Sequence, residues 1–277
     1  MLNYFINSLK RKIARRVTKK HPTRVDTFLL PGIGEIKFAN WENPLVENKI
    51  LSAETLGFFQ KFLSDGDFAI DIGANIGHTT LQMALATGKT GLTLGFDPNP
   101  YVFDILTENA GLNPEKAAMA VYNLAITDHD DEFYYNSSEA SFNNGGISSE
   151  PLNKHGKYAL SQKVKGVNLE SFLEKKYSTF LSKLKLIKID TEGYDKEIIK
   201  SISNLLDKYQ PIIITECFGD NTLGEKFEQY NLLVNKGYKL YYVADFVATA
   251  ETVRLTCKED MLKWKHFDLY ALPNTNR

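Results

Sequence analysis

The sequence is poor in cysteine and has no long apolar run. Two cysteines, Cys217 and Cys257, stand among 277 residues, too few for a disulfide framework. Neither is spaced with histidine as a zinc motif requires, which excludes a cysteine–histidine zinc module. No apolar stretch reaches the roughly 20 residues of a membrane-spanning helix. These absences indicate a globular protein of a reducing compartment, which we expect to be the cytoplasm.

Net charge is also nearly absent, but the charges are unevenly distributed. The formal net charge is −1. Residues 1–20 contain no acidic residue and seven basic ones, Lys10, Arg11, Lys12, Arg15, Arg16, Lys19 and Lys20. Removing this +7 from the total leaves −8 on the rest of the chain. So acidic a main body argues against a nucleic-acid partner.

The basic segment also carries apolar residues at helical spacing. They are Leu2, Phe5, Ile6, Leu9, Ile13 and Val17, a pattern that predicts a basic amphipathic helix within residues 1–22, ahead of a single domain over 23–277. The basic charges follow the apolar residues, which excludes a secretory signal. The helix either makes peripheral contact with an anionic membrane through residues 1–20 or packs as a solvated helix on the domain.

The most informative segment is Phe68-Ala-Ile-Asp-Ile-Gly-Ala-Asn-Ile-Gly-His78. Its apolar run predicts a buried strand that ends around Asp71, and Gly73 and Gly77 predict a turn that leads into a helix. A strand, a glycine turn and a helix in this order build a nucleotide-type pocket at the carboxyl edge of a parallel sheet.

Details of this turn favour one cofactor. Asn75 stands where a dinucleotide fingerprint has its middle glycine, and no Lys-Ser/Thr pair follows to hold a triphosphate. Asp71 would repel a phosphate but suits a cofactor that carries an ammonium and a sulfonium. S-adenosylmethionine is such a cofactor, and we expect its binding residues to include Asp71, Gly73, Asn75 and Gly77. A nicotinamide-dependent oxidoreductase is the alternative, and the missing glycine pattern counts against it.

Two further apolar runs extend the predicted pocket. Residues 91–97 predict a second strand with an acid at its tip, placed to accept hydrogen bonds from ribose hydroxyls. Prolines then stop this strand and an asparagine caps the next helix. Residues 120–126 predict a third strand, which would line the adenine side. The candidate cofactor-binding residues of this region are Asp97, Asn99, Asn123 and Ala125.

Carboxylates gather after the next two predicted strands. The run 185–190 ends in Asp190, with Glu192 in the turn beyond, and residues 211–216 bring Glu216 to the same edge. Such carboxylates could orient a substrate hydroxyl or accept its proton. Asp190 and Glu192 are the leading candidates for the base, followed by His78. Alternatively, Asp190 and Glu216 could hold a divalent metal, Mg²⁺ rather than zinc because the ligands are oxygens, but we favour a site without metal.

Three motifs together resemble the FkbM family of S-adenosylmethionine-dependent methyltransferases. They are Asp71-x-Gly-Ala-Asn75-x-Gly77, Lys188-Ile-Asp-x-Glu-Gly193 and the strand 211–216, and the resemblance covers roughly residues 54–242. One departure is Asp97, where glutamate is more usual in such enzymes. The resemblance implies O-methylation of sugars, lipid-linked glycans or secondary metabolites, and hence a hydroxylated small-molecule or glycan acceptor.

The expected fold is α/β, a Rossmann-like class I methyltransferase fold. It has a seven-stranded, mostly parallel sheet with helices on both faces, and residues 238–243 and 266–272 form an antiparallel C-terminal pair. Residues 27–39 predict a hairpin, and the polar segment 136–149 predicts a loop that serves as an acceptor-binding lid. A non-catalytic binding module on the same fold is a further alternative, which the intact carboxylates disfavour.

Overall fold

A computed structural model describes residues 2–151 and 156–274, which contain fifteen strands and eight α-helices. The strands are β1 Thr23–Leu30, β2 Gly34–Trp41, β3 Phe68–Ile72, β4 Leu92–Phe96, β5 Met119–Tyr122, β6 Ala125–Thr127, β7 Asp131–Ser137, β8 Gly146–Ser148, β9 Tyr158–Ala159, β10 Val164–Asn168, β11 Leu184–Ile189, β12 Ile212–Cys217, β13 Tyr238–Val243, β14 Thr252–Leu255 and β15 Phe267–Pro273. The helices are α1 Leu2–Ala14, α2 Ala53–Gln60, α3 His78–Thr87, α4 Pro100–Gly111, α5 Leu169–Tyr177, α6 Asp195–Ser201, α7 Ser203–Tyr209 and α8 Leu223–Val234. Two 3₁₀ turns cover Leu181–Lys183 and Lys258–Leu262.

The main sheet has eight strands in the order β14-β13-β15-β12-β11-β3-β4-β5. Strands β5, β4, β3, β11 and β12 pair in parallel, and β15 inserts antiparallel between β12 and β13. The predicted C-terminal antiparallel pair, β13 and β15, is confirmed. The predicted count of seven is wrong by one, because the short segment Thr252–Leu255 adds an edge strand to β13.

The predicted third strand, 120–126, is in fact two strands. β5 ends at Tyr122, and the chain then leaves the main sheet. β6 pairs in parallel with β10 in a second sheet, which continues through β7 to β8. The apolar run is continuous in sequence, but its first part pairs with β4 of the main sheet and its last part pairs with β10 of the second sheet.

The predicted loop 136–149 is also partly wrong. Its first two residues belong to β7 and Gly146–Ser148 forms β8, with Tyr135 opposite Ile147 and Asn136 opposite Gly146. The stretch is polar, so its composition indicated a loop. Backbone pairing with β7 organises it nonetheless, because ladder hydrogen bonds do not depend on apolar side chains.

The core lies on both faces of the main sheet. On one face the side chains of Phe68, Ile70 and Ile72 join a cluster with residues of α5 to α8. On the other face Ala69 and Leu186 join a cluster with α2, α3, α4 and the β1–β2 hairpin. Alternate residues of one strand thus enter opposite layers, as the period of two requires. Helices on both faces, and the predicted hairpin, are confirmed.

The basic N-terminal segment contains one helix, whose residues run from Leu2 to Ala14. The segment then leads through Pro22 into β1. None of the helices in the described ranges combines the length and apolar character needed to cross a bilayer.

Candidate active site

The glycine turn after β3 is held against the next strand of the sheet. The backbone amides of Gly73 and Ala74 both donate to the carbonyl oxygen of Phe96, at 2.9 and 3.0 Å. Gly73 has a φ of +80°, and an added Cβ would lie 1.8 Å from the carbonyl oxygen of Asp190. Only glycine therefore allows the turn to approach the end of β11 this closely.

Asn75 joins the turn to the acid at the tip of β4. Its φ of +50° lies in the left-handed region, which asparagine tolerates better than most residues. Its amide donates to Oδ2 of Asp97 at 2.8 Å, and its own Oδ1 accepts from the amide of Ile76 at 2.8 Å. Gly77, at φ +89°, then begins α3 as its N-cap. The turn is thus oriented around the Asp97 carboxylate.

Asp97 is a buried carboxylate in a polar setting. Its two oxygens accept backbone hydrogen bonds from Asn75 and Asn99, the latter at 2.9 Å. Burial nevertheless outweighs these bonds and raises the pKa of Asp97 to about 7. The group therefore changes charge near neutral pH, at the point where a ribose was predicted.

The other predicted residues of this side have clear structural contacts. Asn99 caps α4 and donates from Nδ2 to the carbonyl of Phe142 at 2.6 Å. Asn123 donates to the carbonyl of Asp97 at 2.8 Å. Ala125 is buried in β6, where it pairs with Gly166. Asn99 and Asn123 thus gather at Asp97, whereas Ala125 belongs to the second sheet, and its contact with a cofactor stays a prediction.

Asp71 lies beneath the turn and is fully buried. Its Oδ2 accepts from the hydroxyls of Thr79 and Thr80 at 2.8 and 2.7 Å, and its Oδ1 receives the ammonium of Lys188 at 3.3 Å. Lys188 also contacts Oδ2 of Asp190 at 3.1 Å. Burial lowers the pKa of Lys188, but the charges of Asp190 and Asp71 outweigh that effect and raise it. A buried ammonium on β11 therefore joins this strand to Asp71 of β3.

The two carboxylates that contact Lys188 differ in their exposure to solvent. The Asp71 carboxylate is occupied by protein donors, so its position under the turn indicates a supporting role for the loop. The Asp190 side chain is 41 % exposed, and it is the one that faces the open edge. Removing one partner of such a buried ion pair typically costs about 3–5 kcal/mol.

Glu192 occupies a strained backbone position beyond β11. Its φ is +54°, a region that few residues besides glycine and asparagine adopt, and Gly193 follows at +99°. Such a conformation costs on the order of 1–3 kcal/mol and is found most often at functional sites. Partial burial, and secondarily the neighbouring Asp190, raise the pKa of Glu192. The side chain reaches solvent at the rim of the site.

Glu216, at the end of β12, pairs with a histidine that the sequence patterns did not indicate. Its Oε1 lies 2.5 Å from Nε2 of His266, and its Oε2 is buried with no hydrogen-bond partner among the described residues. Burial, and secondarily Asp190, raise the pKa of Glu216 to about 7. Burial lowers the pKa of His266, but the Glu216 carboxylate outweighs it, and the net pKa is raised.

Two further acids of the site were also missed. Asp268 lies directly opposite Glu216 in the β12–β15 ladder, and burial with the charge of Asp190 raises its pKa to about 6. Asp195 begins α6 and accepts hydroxyl hydrogen bonds from Thr191 at 2.8 Å and Thr215 at 3.0 Å. Burial raises the pKa of Asp195 to about 6. The sequence signal for Asp195 was its position directly after Gly193 and Tyr194, in the turn that follows β11.

His78, the third candidate for the base, is held by the protein. Its Nε2 lies 3.0 Å from the carbonyl oxygen of Ile50, so the ring donates there. Burial lowers the pKa of His78, which favours the neutral ring. Phe38 packs edge-on against it, with 6.0 Å between ring centroids. These contacts give His78 a structural task, and its part in catalysis stays a prediction.

The proposed metal pair is engaged in other contacts. Asp190 is bonded to Lys188 and Glu216 to His266. Within residues 2–151 and 156–274, no three His, Cys, Asp or Glu side chains lie close enough together to hold a metal ion. To share Mg²⁺, Asp190 would have to exchange Lys188 for the ion, whereas Glu216 could offer its Oε2, which lacks a partner in the part of the chain that the structure describes.

Family comparison fits this arrangement of strand ends. A model of the methyltransferase FkbM domain matches residues 71–240, more than half of the chain. The chain belongs to the FkbM methyltransferase family. The predicted family, and with it the prediction of a methyltransferase, is confirmed, and the α/β class of the expected fold is the one that the structure has. The match begins at Asp71 and includes the motif that ends at Gly193.

Curated relatives share modest identity with the chain. The hexuronic acid methyltransferase AglP of Haloferax volcanii is 26 % identical over 150 residues, which cover 54 % of this chain and 56 % of that protein. The methyltransferase sdnD of Sordaria araneosa is 22 % identical over 199 residues, covering 64 % of this chain and 76 % of that one. The chain thus spans only about half the length of the first of these relatives.

Solved structures give weaker likenesses. The FkbM methyltransferase of Methylobacillus flagellatus is 13 % identical with a TM-score of 0.46, covering 77 % of this chain and 47 % of that one. An S-adenosylmethionine-dependent O-methyltransferase of Thermotoga maritima is 13 % identical with a TM-score of 0.43, covering 92 % and 79 % of the two chains.

Proposed function

We propose that this protein transfers the methyl group of S-adenosylmethionine to a hydroxyl group of a sugar, a glycan or a related small metabolite. The observation that carries the proposal is the concentration of carboxylates around one glycine turn. Asp97 lies at its mouth, Asp190 at its far side and Asp71 beneath it. A cofactor that bears positive charge suits such a site, whereas a pyrophosphate does not.

The residues divide the work of holding the donor. Asp97, oriented by two backbone amides, has lone pairs left for the ribose hydroxyls. The exposed carboxylate of Asp190 is placed to attract the ammonium and sulfonium charges. Lys188 and Asp71 fix the position of Asp190 from below. The donor supplies an activated methyl group, and the protein supplies its orientation.

Methyl transfer to oxygen needs alignment and removal of one proton. The acceptor oxygen must approach the methyl carbon in line with the breaking carbon–sulfur bond, at roughly 3 Å. The rim beyond β11 and β12 presents Glu192 and the Glu216–His266 pair, each with a raised pKa. A raised pKa makes a carboxylate a better base near neutral pH. We assign removal of the acceptor hydroxyl's proton to Glu192, because its strained backbone lies at the rim of the site.

A sugar acceptor is supported by two observations. The relative from Haloferax volcanii is named for hexuronic acid methylation. The segment 136–149 also places polar side chains next to Asn99 through Phe142, where amide and hydroxyl groups could match sugar hydroxyls. The acceptor-binding lid predicted for this segment is therefore retained as a proposal.

Calorimetric titration tests the proposal directly. We expect S-adenosylmethionine and its demethylated product to bind and NAD(P)H not to bind. Labelled donor should then transfer its methyl group to members of a panel of glycosides and hexuronic acids. Failure to bind either sulfur cofactor would overturn the proposal, and binding without transfer to any acceptor would favour the non-catalytic module.

Donor affinity should depend on pH through Asp97. The ionised carboxylate is the form that accepts ribose hydrogen bonds and attracts the cationic donor, and the pKa of Asp97 is raised to about 7. Affinity should therefore weaken by up to about tenfold per pH unit below about pH 7, with a proton released on binding. Calorimetry in buffers of different ionisation enthalpy measures both effects.

Two variants identify the group responsible for this dependence. Asp97→Asn should bind weakly with little dependence on pH. Glu216→Gln should keep the dependence, although the pKa of Glu216 is also raised to about 7. If donor affinity in Glu216→Gln no longer depends on pH, Glu216 and not Asp97 is the group whose titration controls binding.

Turnover should not change in excess EDTA. Asp190 and Glu216 already pair with Lys188 and His266, and Glu192 is placed to take the proton, so we expect the reaction to proceed without a Lewis acid. Activity measured after chelation and again after readdition of Mg²⁺ decides between the routes. Loss on chelation with recovery on readdition would establish the metal mechanism that we do not favour.

A further inference from the structure

Helix α1 presents three of its large apolar side chains to solvent instead of to the protein. Ile6, Leu9 and Ile13 follow helical spacing, and all three are exposed, Leu9 by 59 %. The opposite face lies on the body, where Ala14 is buried and Asn7 borders a cleft. A helix that stabilises a fold by packing buries its apolar stripe, so this stripe is available to another surface.

Basic residues surround the exposed stripe. Of the seven in residues 1–20, Arg15 pairs with Glu139 at 3.5 Å and Lys20 pairs with Asp104. The other five make no ion pair within the described part of the chain. Lys10 and Arg11 line the cleft on the body side together with Asn7, and Lys12, Arg16 and Lys19 are exposed outside that cleft. An apolar stripe among unpaired cations matches a lipid interface with anionic headgroups. A second copy of the chain would instead bring like charges together.

We propose that residues 6–20 form a docking surface for an anionic phospholipid membrane. The side chains of Ile6, Leu9, Ile13 and Val17 enter the boundary between headgroups and acyl chains. Lys12, Arg16 and Lys19 contact lipid phosphates. The protein thereby associates with the membrane without spanning it.

The docking surface is connected to the rim of the active site. The carbonyl of Arg15 accepts a hydrogen bond from the amide of Ala140 at 3.2 Å. Two residues further on, the carbonyl of Phe142 accepts a hydrogen bond from the side chain of Asn99, and the backbone amide of Asn99 donates to Asp97. Docking through α1 would therefore bring this rim towards the bilayer. If the proposed function holds, a lipid-linked glycan becomes the preferred class of acceptor.

Vesicle cosedimentation tests the docking surface without using activity. The full chain should sediment with phosphatidylcholine vesicles that contain phosphatidylserine and remain in solution with phosphatidylcholine alone. The double variant Leu9→Glu/Ile13→Glu should lose at least about tenfold in vesicle affinity. The matched control Leu223→Glu/Leu262→Glu adds the same charge at exposed leucines elsewhere, 57 % and 45 % exposed, and should sediment like the wild type.

Unchanged thermal midpoints will show that all variants fold, since each altered side chain is exposed. Equal sedimentation of the wild type and the α1 variant would overturn the proposal. So would a dimer of the wild type, seen in analytical ultracentrifugation without lipid, that the α1 variant dissociates. Either outcome leaves the proposed methyl transfer untouched, because donor binding and methyl transfer are measured without vesicles.

Discussion

Replacing Gly73 by alanine is expected to reduce donor affinity by at least about a hundredfold, or about 2.8 kcal/mol. The new Cβ would lie 1.8 Å from the carbonyl oxygen of Asp190, so the turn and the end of β11 must move apart. The left-handed φ of +80° adds roughly 1–2 kcal/mol of strain for alanine. Displacing Asp190 also disturbs its ion pair with Lys188. Calorimetric titration with S-adenosylmethionine measures the loss.

Gly32→Ala is the matched control for this substitution. Gly32 has nearly the same backbone conformation, with a φ of +76°, but no atom lies within 4 Å of its added Cβ. It should lose only the stability that the strain accounts for, with donor affinity unchanged. If Gly73→Ala binds donor as the control does, the close approach of the turn to β11 has no part in the site.

Glu192→Gln is expected to lower turnover by about 10²–10⁴ while the donor Kd stays the same, because general-base catalysis typically contributes that much. Glutamine keeps the size of the side chain and its place at the rim but does not take a proton. The left-handed backbone at φ +54° is unaffected by the exchange. Turnover and donor binding, measured on the same preparation, separate the two effects.

Two other acids provide the comparison for Glu192. Glu197→Gln alters a nearby carboxylate that pairs with Lys196 and Lys200 on α6, and it should turn over normally. Glu216→Gln removes the partner of His266. Full turnover in Glu192→Gln, together with loss of turnover in Glu216→Gln, would assign the role of the base to the Glu216–His266 pair. The fold assignment would not change.

Parts of the site were predictable because their causes are local. A short apolar run, an acid and a glycine define a strand and the turn after it, and this pattern located the turn at Gly73–Gly77. Parallel strands then bring their carboxyl ends to one edge. Asp97, Asp190 and Glu216 therefore meet although long stretches of chain separate them, and pattern reading alone was enough to group them.

Other parts depended on contacts between distant segments. His266 reaches Glu216 only because β15 inserts beside β12, and the two residues are 50 positions apart. Asp71 was predicted to bind the cofactor, and its place beneath the turn depends on the same kind of contact. Lys188, 117 residues later, supplies a buried ammonium that holds the carboxylate beneath the turn. No local pattern near Asp71 contains that information.

Local patterns in the amino-acid sequence were enough to predict the family, the α/β class, the glycine turn and the acids at the ends of the parallel strands. Each of these follows from the spacing of side chains along one short segment. Four features became visible only in the folded chain: the eighth strand, the division of residues 120–126 between two sheets, the Glu216–His266 pair and the outward apolar face of α1. These features depend on which distant segment occupies the space beside a strand or helix, and packing of the whole chain sets that choice.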